Sequence, residues 1–395
     1  MADKNLEDEL RNIKLKIFSL SNNPNKVTDK TRKLDSTQKR IDELLKEAER
    51  ILEEAKKESG RILKKAKKEN KRTLEGTKTK TSFVSNNTNY KTESIDNKVI
   101  EVNSVRMLRN LNRSRNDFII KRGTYKLSYF DNNLEFNGSV TIEPGTKIYS
   151  ENEIIFKGKV TAKGTYDDKI VFSSEDRWEG LVIKGIDSDN SIFENCEITN
   201  VRSSGNHGAI RVIDSSPKFI KTTISYNRSE LRGGGIYFEN SKSKIINCEI
   251  SYNEASKGGG IYASRSAITI DNCNIHNNNA SEGGGIYLTK SDFTKIILND
   301  IENNKSLRSG SERDAGGIQN DSSNSIIQNN KIKYNGFTGV SVTQSEGITI
   351  IENHIIGHEI GVFSWSKEIS DIKRNTLDNK VNYKKLYWKL KKIKF

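Results

Sequence analysis

The amino-acid sequence predicts an all-β solenoid, a right-handed parallel β-helix of about 8–10 coils, with an N-terminal α-helical coiled-coil stalk. Three observations support this prediction: a Gly-rich motif recurs at a fixed interval, one aliphatic residue recurs in each repeat, and the first 75 residues follow heptad spacing. The 395 residues are 33% hydrophobic and 30% charged, which suits the thin core of a solenoid better than one large globular core.

The repeat is clearest in the motif GGGIY, which begins at residues 233, 258 and 283 and therefore recurs every 25 residues. Related segments begin at Gly316, Gly339 and Gly361. A column of aliphatic residues follows about fifteen residues later in each repeat: Ile198, Ile224, Ile250, Ile275, Ile301, Ile332, Ile355 and Leu377. Because insertions fall between these positions, each repeat should be one coil, with the aliphatic side chains stacked inside a tube. The glycines should lie at a corner where a positive φ or close contact between coils excludes Cβ.

A second column lies two residues before the aliphatic one and shares its face of the strand. Its members are Cys196, Thr222, Cys248, Cys273, Asn299, Asn330, Asn353 and Asn375. Stacked amides can bond to the coil above and below, so we interpret the column as a structural ladder and its cysteines as core residues. A redox or metal role is the alternative, since neighbouring coils could bring Cys248 and Cys273 together. Three residues after the aliphatic position, an Asn is predicted to occupy a left-handed turn in five repeats: Asn227, Asn253, Asn278, Asn304 and Asn335.

The N-terminal region carries helical patterns. Leu6, Leu10, Ile13, Ile17 and Leu20 are spaced 4, 3, 4 and 3, and residues 28–74 combine seven-residue and eleven-residue repeats. We therefore expect residues 6–74 to form a homo-oligomer, with a trimer favoured. A lone helix folded back on the solenoid is the competing interpretation. The predicted domains are a stalk at 1–75, a linker at 76–117, the β-helix at 118–380 and a basic amphipathic cap at 381–395.

The formal net charge is +14, from 66 Lys and Arg against 52 Asp and Glu, and it favours polyanionic partners such as acidic glycans, nucleic acid or anionic lipid surfaces. A general compositional bias toward basic residues is the alternative. The sequence shows no signal peptide and no apolar run long enough to span a membrane, so we expect a cytoplasmic or virion-associated protein. Three cysteines imply no disulfide framework.

Two segments resemble known repeat proteins. VTIEPGTKIYSENEIIFKGKVTAKGTYDDKIVFSSEDRWEGLVIKG at 140–185 is similar to the opening coils of right-handed parallel β-helix repeat proteins of the pectate-lyase-like superfamily. ISYNEASKGGGIY at 250–262 and IHNNNASEGGGIY at 275–287 resemble the GGxI and FxxN repeats of polymorphic outer-membrane proteins and adhesins. The resemblance implies the fold. It leaves function open, because the superfamily includes lyases, hydrolases, epimerases, phage tailspikes and adhesins.

Candidate site residues fall into two groups. His207, Arg211, Arg228, Glu230 and Arg232 are expected to share one edge of two neighbouring coils. The longest insertion, at 307–317, carries a second set: Arg308, Glu312, Arg313 and Asp314. The first group could bind a glycan or anion, catalyse a reaction, or consist of solvated turn residues. The insertion is the best single candidate for a binding rim. The sequence predicts no metal site and no cofactor, and no repeated acid pair that sugar hydrolysis would need.

The last fifteen residues, VNYKKLYWKLKKIKF, alternate aromatic and aliphatic residues with lysines. As a helix, this segment would place one face apolar: Tyr383, Leu386, Tyr387, Leu390 and Ile393. It would then cap the last coil or bind an anionic surface.

Three functional hypotheses remain. We favour an elongated oligomeric structural or binding protein that presents its β-helix to an acidic polysaccharide or a protein, as tail appendages and adhesins do. The alternatives are a polysaccharide lyase or glycoside hydrolase, and a cytoplasmic scaffold whose basic tail binds membrane or nucleic acid. Nucleic acid is the less expected partner.

Overall fold

The computed structural model describes residues 99–128, 131–203, 208–307, 312–345, 347–366 and 371–385 of the chain. These residues wind into a parallel β-solenoid, in which strands pair in parallel with their equivalents one repeat before and one repeat after. Each complete coil contributes one strand to each of three long sheets, which we label A, B and C. Along the chain, the strands of one coil follow the order C, A, B. Five consecutive coils add a short strand between B and C, and these strands form sheet D.

The strand bounds follow the repeat. Sheet A contains Ile100–Val102, Phe118–Ile120, Val140–Ile142, Val160–Lys163, Ile192–Glu194, Lys218–Ile220, Lys244–Ile246, Thr269–Asp271, Lys295–Ile297, Ile326–Gln328, Thr349–Ile351 and Asp371–Lys373. Sheet B contains Thr124–Leu127, Lys147–Ser150, Ile170–Ser173, Cys196–Thr199, Thr223–Ser225, Glu249–Ser251, Asn274–His276, Asp300–Glu302, Lys331–Lys333, His354–Ile356 and Thr376–Asp378. Sheet C contains Leu134–Phe136, Ile154–Phe156, Leu181–Lys184, Ile210–Ile213, Ile236–Glu239, Ile261–Ser264, Ile286–Thr289, Ala315–Asp321, Thr338–Thr343, Ile360–Trp365 and Val381–Lys385. Sheet D contains Arg202–Ser203, Arg228–Ser229, Glu254–Lys257, Asn279–Glu282 and Lys305–Ser306. The helices of the described residues are the α-helix Val105–Asn110 and the 3-10 helix Ile186–Ser188.

The predicted stacking of aliphatic residues is confirmed. Ile224 pairs with Ile250, and Ile250 pairs with Ile275, in register along sheet B. All three side chains are fully buried. Because side chains alternate between the two faces of a strand, one inward residue per short strand is enough to fill the tube. The core is therefore a thin column that extends from coil to coil.

Three corners of a typical coil share one arrangement, in which a residue with positive φ precedes a small buried residue. In one coil these pairs are Arg265–Ser266, Asn272–Cys273 and Asn277–Asn278, whose first residues have φ of 48°, 50° and 55°. The left-handed residue reverses the chain direction, and the next side chain then points into the tube. The left-handed position predicted at Asn278 and its equivalents is therefore wrong by one residue, since it belongs to the residue before.

The buried polar residues at these corners form hydrogen-bonded ladders. Asn253 donates from its backbone N and its Nδ2 to Oδ1 of Asn278, at 3.0 Å each, and Asn278 does the same to Asn304. The column that begins at Cys196 continues as amides from Asn299 through Asn330, at 2.9 Å. Its three cysteines are free and buried, and burial raises the pKa of the Cys196 thiol. A corner backbone N–H that lies outside a sheet thus finds its acceptor in the next coil.

One coil breaks the amide ladder with a histidine. His358 occupies the position held by Asn278 and Asn304 in earlier coils and is 4% exposed. Its Nδ1 lies 2.9 Å from Oδ1 of Asn379, while its Nε2 is buried without a hydrogen-bond partner. Burial lowers the pKa of His358 to about 4. The folded protein therefore favours the neutral ring.

We expect a pH-dependent loss of stability that originates at His358. Between pH 6.5 and 4, the unfolded chain binds a proton at this histidine that the folded chain does not bind. The free energy of unfolding is therefore highest above pH 6.5 and decreases as the pH falls through this range, by roughly 3 kcal/mol in total. Urea unfolding at several pH values measures it. His358→Asn should remove this component. His354→Asn, an exposed position in the same coil, is the control and should retain it. Parallel pH profiles for wild type and His358→Asn would contradict the expectation.

The predicted fold class needs a correction. The described residues form an all-β solenoid, and the α-helix found among them is the six-residue Val105–Asn110, so they show no coiled-coil stalk. The residues predicted for the stalk, 1–75, lie outside the described ranges. The helical interpretation of the C-terminal tail is wrong where it can be examined, because Val381–Lys385 is a strand that continues sheet C beside Ile360–Trp365.

Candidate functional site

Two tyrosine clusters lie on the outside of the solenoid, and one of them is covered. Tyr237, Tyr262 and Tyr287 project outward from sheet C, one coil apart, with ring centroids 5.5 and 5.4 Å apart. The rings are nonetheless buried. Arg232 lies 5.4 Å from the Tyr262 ring, and Lys257 lies 5.1 Å from the Tyr287 ring. The ring faces are thus occupied by each other and by these cations.

The polar groups around these rings also have partners. The Tyr237 hydroxyl donates to Glu239 at 3.0 Å, Glu239 pairs with Arg265, and Lys257 pairs with Glu282 at 2.7 Å. Burial, followed by the Glu239 hydrogen bond, raises the pKa of Tyr237 to about 12. This tyrosine column is therefore a small satellite core that braces the glycine corner, and it leaves little ring surface for a ligand.

The second cluster lies at the corner between sheets B and D and is open. Tyr226 and Tyr252 are 62% and 48% exposed, and their rings stack at 4.9 Å with 1° between the planes. The His276 and Tyr252 rings are nearly perpendicular, with their centroids 5.7 Å apart. One coil before Tyr226, the Asn200 amide turns back toward Ser173. The outer face of the Tyr226 ring is therefore available to a ligand.

The backbone at these two tyrosines is unusual. Tyr226 and Tyr252 have φ of 57° and 55°, in the left-handed region that bulky side chains rarely adopt. Other coils place Asn277 or Asn303 at this position. Asn tolerates the left-handed region, whereas a large residue costs roughly 1 kcal/mol or more there. Tyr334 has the same backbone conformation in a later coil, so the conformation alone does not mark a site; the stacking of two exposed tyrosines from adjacent coils suggests a functional role.

Charged side chains border the open tyrosines. In sheet D, Arg202 pairs in register with Arg228, and Arg228 with Glu254. Arg228 and Glu254 are well exposed, and their charged atoms are 3.7 Å apart, so this ion pair only partly neutralises the two guanidinium groups. We call Arg202, Tyr226, Arg228, Tyr252 and Glu254 the corner patch. It presents an aromatic surface beside two adjacent bidentate donors.

The structure separates the predicted site residues. Arg228 lies in the corner patch, and the exposed Glu230 lies in the turn that follows it. Arg232 covers a ring of the tyrosine column, and Arg211 occupies the register position before Tyr237, where it pairs with Glu153 at 2.8 Å. His207 lies outside the described residues.

The insertion residues lie farther along sheet C. Arg313 covers the Trp365 ring at 3.9 Å, and Glu312 pairs with Lys384. Asp314 is partly exposed, and Arg308 lies outside the described ranges. Within the described part of the insertion, Arg313 and Glu312 therefore contact the strands Ile360–Trp365 and Val381–Lys385 of the last coils. Tyr226 and Tyr252 were missed from sequence, although a Tyr before the ladder Asn, where other repeats have Asn, is the signal that marks them.

The charge of the chain is unevenly distributed. Residues 101–380 contain 35 Lys and Arg and 35 Asp and Glu, so the excess positive charge lies in the first 100 residues and the last fifteen. Residues 101–380 therefore carry no net charge, and within them a preference for an anion must come from local clusters such as Arg202 and Arg228.

Two further observations concern the described ranges. They contain no group of three or more His, Cys, Asp or Glu residues arranged to hold a metal ion. None of their helices has the length and apolar character needed to cross a bilayer.

Comparison with known proteins concerns the fold. No curated protein sequence matches the chain. Similar solved structures include three mutants of the periplasmic alginate epimerase AlgG, each 13% identical, with alignments covering 69%, 73% and 74% of this chain and 76%, 82% and 83% of theirs, and TM-scores of 0.32, 0.30 and 0.27. The family model described as right handed beta helix region matches residues 177–310 and 208–377. These matches together span just over half of the sequence, and the chain belongs to the right-handed β-helix family.

Proposed function

We propose that this β-helix is a binding protein that recognises an acidic glycan at the corner patch. The observation that carries the proposal is the exposed ring of Tyr226, whose backbone is left-handed and which lies beside Arg202 and Arg228. A sugar ring can stack on the open aromatic face, and a guanidinium can bind its carboxylate through two parallel hydrogen bonds.

The geometry supports one sugar unit stacked on Tyr226 and further units along the solenoid axis. Tyr252 continues the aromatic surface, and the Glu254 carboxylate can accept hydrogen bonds from hydroxyl groups. Along sheet D, the register position of Arg228 is followed by Glu254, Asn279 and Lys305, so a linear polymer would meet polar groups that change from coil to coil.

Binding suits the patch better than catalysis. A glycosidase needs a carboxylic acid whose proton is retained by a buried, apolar setting. Glu249 and Glu254 are 48% and 45% exposed, and both lie near a basic group, His276 and Arg228 respectively. Incubation with the bound glycan should therefore leave its chain length unchanged.

A panel of oligosaccharides with and without carboxylates tests the proposal. Full-length protein should bind glucuronate-containing oligomers more tightly than neutral ones. Tyr226→Asn keeps a residue suited to the left-handed backbone and removes the ring, so it should weaken binding roughly tenfold, or about 1.4 kcal/mol. Arg228→Gln should cause a similar loss.

Tyr334→Asn is the matched control, because Tyr334 is exposed at the same corner position, with φ of 54°, three coils beyond Tyr252. It should bind like wild type. Equal binding by the Tyr226→Asn and Tyr334→Asn variants, or no preference for carboxylated oligomers, would contradict the proposal.

A further inference from the structure

A pocket lies at a different corner from the corner patch, between sheets C and A. Its cavity volume is about 380 Å³, within the range of small-ligand sites. Three coils build it side by side: Lys242 comes from the first, Arg265 and Ala267 from the second, and Lys290 and Phe293 from the third. We call these five residues the cation pocket. The short side chain of Ala267 leaves the hollow between its longer neighbours.

Phe293, the aromatic residue of the pocket, lies in a corner that contains a one-residue insertion. The corner that carries Phe293 has one residue more than the preceding corner, between Ser291 and Lys295, and Phe293 is left-handed with φ of 64° and 80% exposed. Its backbone N donates to Asn324 O at 2.8 Å, and Asn324 N donates to Asp292 Oδ1 at 2.7 Å. These bonds hold an exposed aromatic ring in a backbone conformation that costs free energy.

The positive charge of the pocket is only partly neutralised. Arg265 and Lys290 occupy equivalent corner positions in consecutive coils, where like charges repel. Arg265 pairs with Glu239 and donates to Asn240 at 3.1 Å. Among the residues that the structure describes, neither Lys242 nor Lys290 forms an ion pair. The pocket therefore has two ammonium groups to offer an anion.

The remaining wall indicates what carries that anion. Asp292 lines the same pocket, where its carboxylate can accept hydrogen bonds from hydroxyls and repels a ligand with several negative charges more strongly than one with a single charge. A single exposed ring provides one stacking surface. Together these features suit a ring that bears several hydroxyls and a single anionic group.

We propose that the cation pocket binds an anionic sugar unit, with its carboxylate or sulfate between Lys242 and Lys290 and its ring against Phe293. This site is separate from the corner patch and does not depend on the function proposed for it. The sugar unit can be a free monosaccharide or one residue of a polymer, and these sources share the same chemistry.

Binding measurements in the Tyr226→Asn background isolate the pocket from the corner patch. Calorimetric titration of the full chain with glucuronate should show binding that glucose does not. Lys290→Gln and Phe293→Asn should each weaken it at least roughly tenfold. Lys295→Gln, an exposed lysine in the same coil, is the control and should have no effect. A glucuronate oligomer that binds more tightly than the monomer supports a polymer as the source, and equal affinity supports the free sugar.

Three outcomes would overturn the proposal. The first is undetectable glucuronate binding, or binding that Lys290→Gln leaves unchanged. The second is equal binding of glucose, which would remove the role of the cations. The third is inorganic sulfate binding as tightly as glucuronate with no effect of Phe293→Asn, which would remove the role of the ring.

Discussion

Asn278→Ala should destabilise the solenoid by about 4 kcal/mol, the largest effect expected from a single substitution discussed for this protein. The side chain is fully buried and takes part in four hydrogen bonds. It accepts from Asn253 N and Nδ2 and donates to Ile250 O at 2.8 Å and Asn304 Oδ1 at 2.9 Å. Truncation removes partners from buried groups in the coils before and after: Asn253 N loses its acceptor, and Ile250 O and Asn304 Oδ1 each lose a donor.

Urea unfolding measures this loss, with Asn274→Ala as the matched control. Asn274 lies four residues earlier in the same coil, but its side chain is exposed on sheet B. The control should stay within ~0.5 kcal/mol of wild type. If the two variants unfold at the same urea concentration, the amide ladder does not stabilise the fold.

Gly260→Ala should destabilise the protein by about 3 kcal/mol. A Cβ at this position would lie 2.6 Å from the Gly285 carbonyl oxygen and 3.2 Å from Asn278 Nδ2. The oxygen belongs to the backbone of the next coil and cannot move without separating the coils. The cause is steric contact, in contrast to Gly258 two residues earlier, whose φ of 64° is itself unfavourable for other residues.

Gly123→Ala provides the comparison for this steric effect. A Cβ there would meet the Tyr125 ring at 3.5 Å, which is ordinary contact. The substitution should be neutral or slightly stabilising, because Ala restricts the unfolded chain more than Gly does. Urea midpoints for both variants measure the difference. A Gly260→Ala variant as stable as Gly123→Ala would show that the coils do not approach this closely.

The repeat made the core predictable. Ile224, Ile250 and Ile275 could be placed in one column from their spacing alone, because a fixed period brings equivalent side chains into register along the axis. The same argument identified the amides from Asn299 onward as a ladder. The N-terminal heptad pattern did not give a correct fold class, since heptad spacing shows that a helix is compatible with a segment but does not show what the segment packs against.

The candidate sites were less predictable, because they depend on the direction in which a corner residue points. Tyr252 and Tyr262 lie ten residues apart in the same repeat, yet the first is exposed and the second is buried under neighbouring rings and Arg232. Their residue type does not distinguish them. The distinction arises from the left-handed turn at Tyr252 and from the cations that cover the outer face of sheet C.

The sequence by itself determined the coil, its inward column and its polar ladders, because these features depend on periodic spacing and recur in register from coil to coil. Only the tertiary structure placed the residues of the two proposed sites side by side. The cation pocket joins Lys242, Ala267 and Phe293 from three different coils, and the corner patch joins Arg202, Tyr226 and Tyr252 in the same way. Such sites exist where neighbouring coils differ from one another, and the shape that results depends on how the unlike side chains pack side by side.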